Sequence, residues 1–174
     1  MNILVSACLL GVSCRYDGNA KQYNEITKLM KHAHLIPVCP EQLGGLPTPR
    51  PPAEIKDGRV ITKSRTADEQ HNTKNDFTAF DTDVTVQYER GAQQVLLLAQ
   101  KFNCKYALLK ERSPSCGSGI IHDGSFTGAL TAGYGITASL LKANGTRVYG
   151  ESACDKLIAD LKAAAHADQL KLEF

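Results

Sequence analysis

Six cysteines stand at positions 8, 14, 39, 104, 116 and 154 of the 174-residue chain, with no C-x-x-C pair among them. A thiol can be a nucleophile, a soft metal ligand or a small core residue, and its neighbours decide which. Cys116 lies in KERSPSCGSG (110–119), where small and polar residues follow three charged ones. Without paired spacing, the local ligand sets of zinc ribbons and ferredoxins are excluded. Any shared site must be assembled by the fold. A small cysteine-phosphatase loop would need C-x5-R after the first strand. Cys8 to Arg15 is one residue too long for that, and Cys14 occupies the arginine's place. The anion cradle is missing.

Which thiols can meet depends on the elements that carry them. NILVSA (2–7) and LIPV (35–38) are short apolar runs that read as buried strands. Between them Ile26, Leu29, Met30 and Ala33 fall at i, i+3, i+4, i+7, a helix with Asn24 as its cap. The stretch 39–52 carries five prolines and two glycines and is a stiff loop. EIKDGRVIT (54–62) places Asp57-Gly58 between two short runs, a hairpin signal. The polar segment 63–81 is expected to be mobile. Val84, Tyr88, Ala92, Val95, Ala99 and Phe102 then give the strongest helical pattern in the chain. KYALLK (105–110) is the next strand, Ile136, Leu140 and Leu141 mark a helix ending at Asn144-Gly145, and TRVYG (146–150) is the last strand. Cys154, Leu157, Ile158, Leu161 and Ala165 share one face of a final helix.

This alternation predicts a single-domain α/β fold over residues 1–174. It is Rossmann-like and doubly wound, with a mostly parallel sheet, helices on both faces and a small hairpin. Ligands of such sheets bind beyond the carboxyl ends of the strands. Cys8, Cys39 and Cys116 each follow a strand there, on strands about 4.8 Å apart, so the three can converge. Cys104 starts its strand and belongs to the opposite edge; Cys154 is a core helical residue. Cys14 is assigned to neither group. Three thiolates are one short of a structural zinc site. An iron–sulfur cluster held by three would keep one iron open to substrate.

The formal net charge of +2 is too mild for a nucleic-acid binder and suits a small anionic ligand better. MNILVSACLLGVSCRYDG lacks the basic flank of a signal peptide, and no apolar stretch approaches a membrane span. The expected location is the cytoplasm, where six cysteines do not form a disulfide framework.

SACLLGVSCRYDG (6–18), VCPEQLGGLPTPRPP (38–52), LLKERSPSCGSG (108–119) and GYGITASLLKANGTRVYGE (133–151) together resemble the thiouracil desulfidase family. The likeness runs from about residue 2 to 152 and is weaker over 63–81. It implies a [4Fe-4S] cluster held by Cys8, Cys39 and Cys116. It also implies a non-redox reaction in which the open iron takes the sulfur of thiouracil or 4-thiouridine monophosphate, water supplies the oxygen and hydrogen sulfide leaves. In that frame Glu41 is the base that activates water, or else a loop carboxylate paired with Arg50. Ser113 relays a proton or binds substrate, or else caps the turn before Pro114; Ser115 is its weaker rival. Arg15, Arg50 and Arg112 are candidates for holding a phosphate or a uracil carbonyl. The amides of GYG (133–135) are a candidate anion site. The five histidines show no ligand spacing with the three cysteines. A non-catalytic iron–sulfur or metal-binding protein, a redox sensor or cluster carrier, would use the same cysteines without needing Glu41 or a substrate cleft.

Overall fold

The computed structural model describes residues 1–63 and 81–170. Asn2–Ser6 (β1), His34–Val38 (β2), Tyr106–Leu109 (β5) and Arg147–Gly150 (β8) form one parallel sheet in the order β2-β1-β5-β8. β1 and β5 are the interior strands. That is why their sequences are continuously apolar rather than alternating. β2 is an edge strand and tolerates Pro37, which needs no ladder bond on its open side.

Alternate side chains of the interior strands feed two separate cores. Ile3, Val5, Tyr106 and Leu108 pack with the helices Ile26–Leu29 (α1) and Cys154–Leu170 (α5). Leu4, Ala107 and Leu109 pack on the other face with Thr85–Lys101 (α3) and Ile136–Ala143 (α4). The sheet is therefore doubly wound, as its sequence predicts. The chain leaves β1 in one direction to reach β2 and in the other to reach β5 and β8. This puts the topological switch between β1 and β5, beyond Ser6 and Leu109. Among the described residues no helix is long and apolar enough to cross a membrane.

Ala53–Lys56 (β3) and Arg59–Thr62 (β4) form the expected hairpin, its turn made by Asp57 at φ 49° and Gly58 at φ 76°. A second hairpin, Ser118–His122 (β6) with Leu130–Tyr134 (β7), is one that the sequence pattern does not predict. Most of the segment 63–81 lies outside the described residues. α1 is shorter than the apolar stripe predicts. It stops at Leu29, leaves Met30 exposed and is not capped by the Asn24 side chain, because the chain must turn at once to enter β2 at His34.

Pro40–Leu43 (α2) crosses α3 at backbone contact. A Cβ on Gly91 would stand 1.9 Å from the Pro40 carbonyl oxygen, and one on Gly44 would stand 2.0 Å from that of Gln87. Neither oxygen can give way without moving a helix. Gly91→Ala is therefore expected to destabilise the fold by roughly 1–3 kcal/mol, read as a lower Tm. A Tm equal to that of the parent would show that the crossing is loose.

Candidate active site

Three thiol-bearing loops leave the carboxyl edge at the switch. Cys8 lies in the single 3-10 turn Ala7–Leu10 that directly follows β1. Cys39 follows Val38 of β2 and is the cap position of α2, with Pro40 at its first turn. Cys116 ends the loop after β5. That loop is pinned from below: the amides of Ile136, Thr137 and Ala138 at the start of α4 donate to the carbonyls of Pro114 and Ser115 at 2.9–3.3 Å. The Gly135 amide donates to the Gly117 carbonyl at 2.9 Å. These amides are thus already engaged, which removes GYG as an anion site; Gly133 and Tyr134 belong to β7.

The three loops wall a cavity of about 440 Å³. Cys8, Cys14, Cys39 and Cys116 all line it, as do Glu41, Arg15, Arg50, Arg112 and Ser113. Ser115 does not. It is fully buried, its hydroxyl 2.9 Å from that of Thr137 under the loop. Cys104 lies at the opposite edge, buried against α3 and α4, and Cys154 is buried against β1 and β5. Among the described residues no disulfide joins any of the six.

The surroundings push the thiols of Cys14, Cys39 and Cys116 upward. Burial first, with Glu41 and Cys39 adding, pushes Cys116 up to about 12 against the hydrogen bonds from Ser6 and Ser115. A hydrogen bond with the Cys14 thiol, then burial, raises Cys39 strongly. The bond with Cys39 lowers Cys14, while that with Cys8 and burial raise it, and the net is upward. Cys14, assigned to no group by its sequence position, is thus in contact with two of the thiols.

Arg50 ties the site together. It is buried; its Nε donates to Glu41 Oε2 at 2.6 Å, Nη1 to Pro47 O and Thr48 Oγ1, and Nη2 to the Cys14 carbonyl at 3.0 Å. The guanidinium fork is spent on the 39–52 segment and on the Cys14 carbonyl rather than held free for a ligand. Arg15 is likewise engaged, bidentate with Asp17 at 3.1 and 3.3 Å. Arg112, exposed and at φ 63°, has no ion pair or hydrogen bond from its side chain among the described residues. It is the arginine available to an incoming anion.

Ser113 Oγ accepts from the amides of Ser115 and Cys116, each at 3.1 Å. Both acceptor positions are filled, so its O–H is left to donate. Glu41 is paired with Arg50 and also faces Tyr88 of α3. Burial first, then the Glu41 charge, raises that phenol well above its usual value and keeps it a donor. Tyr88, Glu54 and His122 line the cavity too, and none of them is a candidate on sequence grounds. Tyr88 shows in the sequence only as part of a helical stripe. Glu54 and His122 sit in hairpins whose contact with the cavity no local pattern announces.

Fold and site together define a class: a Rossmann-like α/β protein with a thiol-walled cavity at the switch point of its sheet. The sequence matches the 2-thiouracil desulfurase family over residues 3–153, and the chain belongs to that family. It is 42% identical over 156 residues to the Bacillus subtilis (strain 168) protein named Uncharacterized protein YbbK, covering 90% of this chain and 99% of that one. Among solved structures it is similar to a [4Fe-4S]-dependent thiouracil desulfidase, TudS. The two share 41% identity and a TM-score of 0.79 over 93% of this chain and 98% of the other.

Proposed function

We propose that this protein is a [4Fe-4S]-dependent desulfidase that converts thiolated uracil to the oxo base. The carrying observation is that Cys8, Cys39 and Cys116 face one cavity together with Glu41 and Ser113. The donor set fits a cluster: it is all thiol and free of disulfides, and it suits iron as a soft ligand set. Cys8, Cys39 and Cys116 would hold the cluster, and Cys14 would stand beside it. When bound, the cluster supplies a Lewis-acidic iron without a protein ligand, with affinity for thiocarbonyl sulfur.

The rest of the chemistry belongs to the chain. Overall, one thiocarbonyl and one water become one carbonyl and one hydrogen sulfide, with no change of oxidation state. Glu41 takes the proton of the attacking water. Its ion pair to Arg50 fixes the carboxylate at the cavity wall. Ser113 donates its O–H to the reacting centre and holds the heteroatom that changes. Arg112 supplies charge for the 5′-phosphate of a nucleotide, which favours 4-thiouridine monophosphate over the free base. A cavity of about 440 Å³ suits such a molecule and not a folded RNA.

Anaerobically reconstituted protein should release sulfide and the oxo base in equal amounts from 2-thiouracil, 4-thiouracil or 4-thiouridine monophosphate. Arg112→Ala should weaken the nucleotide selectively. No release from any of the three by cluster-loaded protein would overturn the assignment.

A further inference from the structure

Two hairpins, not the thiol loops, complete part of the cavity wall, through Glu54 of β3 and His122 at the end of β6. Glu54 is buried, and its Oε2 accepts the amides of Gly124 and Phe126 at 3.0 and 2.9 Å. These two bonds fasten the turn of the second hairpin to the first and fix the plane of the carboxylate. Its other oxygen, Oε1, is 3.9 Å from His122 Nδ1. Nδ1 is buried and has no hydrogen-bond partner among the described residues. Leaving a buried polar atom unpaired is costly, so the nitrogen gains by closing on the nearest acceptor.

A carboxylate can only accept, so the nitrogen facing it carries the proton. In the neutral imidazole the ring's other nitrogen, Nε2, is then left as an acceptor. It makes no hydrogen bond among the described residues, on a side chain that is one-third exposed at the cavity. We propose that His122 Nε2 accepts a hydrogen bond from a ring N–H of the bound pyrimidine, and that Glu54 is a positioning residue that sets the imidazole tautomer. The contact rests on reading the cavity as a thiouracil site. It makes His122 a determinant of specificity for bases that keep a ring N–H.

The test uses cluster-loaded protein and the unreactive product uracil, bound in a calorimeter beside 1,3-dimethyluracil, which lacks both ring N–H groups. His122→Phe keeps the ring's bulk and should weaken uracil roughly 3- to 10-fold, the worth of one neutral hydrogen bond. Dimethyluracil should change little. Glu54→Gln is the sharper variant and changes almost no volume. The Gly124 and Phe126 amides will hold the carboxamide oxygen, turning the carboxamide nitrogen toward Nδ1. That makes Nδ1 the acceptor and Nε2 a donor, so uracil should weaken about as much as in His122→Phe. A purely structural Glu54 would leave uracil binding untouched, because glutamine still accepts both amides.

Uracil affinities within twofold of the parent in both variants would overturn the contact. Weakening in His122→Phe alone would overturn the tautomer assignment. A parent that binds uracil but releases no sulfide from any thiouracil would sink the desulfidase reading while leaving this contact standing.

Discussion

Cys116→Ser should fold but retain no cluster: iron and acid-labile sulfide should fall to background in anaerobic preparations, and Cys8→Ser and Cys39→Ser should behave alike. Each would remove one of the three proposed ligands, and a hydroxyl is a hard donor that cannot replace a thiolate on iron. The folded state should survive because none of the three positions lies within a strand and serine is close to cysteine in size. Cys104→Ser and Cys154→Ala, which do not line the cavity, should keep a full complement. Cys14→Ser is also expected to load, since the Cys39 thiol and Arg50 both bond to the Cys14 carbonyl, which the substitution leaves in place. Full iron and sulfide in Cys116→Ser would exclude the site.

Glu41→Gln separates catalysis from ligation. Desulfuration should fall by about 10²–10⁴-fold, the usual contribution of a positioned base, with iron content per chain unchanged. The substitution also removes the counter-charge of Arg50, whose side chain is 4% exposed. That costs roughly 3–5 kcal/mol, so Tm should drop with activity while the absorbance of the cluster persists below it. Loss of the cluster together with activity would make Glu41 a structural anchor. Unchanged turnover would move the base elsewhere, with Glu111 on the same cavity wall as the next group to replace.

The sheet and the convergence of Cys8, Cys39 and Cys116 were legible because buried parallel strands announce themselves as apolar runs. The strand order then decides which loops meet. Cys14 was not placed, since its position depends on how Arg50, thirty-six residues away, grips its carbonyl. The second hairpin was missed for a different reason. Its strands are glycine-rich and largely exposed, with Ile120 at 52%, so no alternation marks a buried face. Missing it hid His122. The fate of Ser115 and of the amides before α4 also escaped, because each is satisfied by a partner about twenty residues away.

The register of β1 against β5, Leu4 beside Ala107, has a consequence for how the protein is made. On the ribosome Cys8, Cys14 and Cys39 emerge long before Cys116. β1, an interior strand, meanwhile lacks the neighbour that will cover its second edge. Until then the nascent amino-terminal part would carry these three thiols beside an open strand edge. With Cys8, Cys39 and Cys116 as the proposed ligands, a cluster would be held by all three only after β5 has docked and its loop has closed onto the start of α4. On that reading the cluster would enter late, and cells short of iron should accumulate a folded, empty protein rather than a fragment waiting to fold.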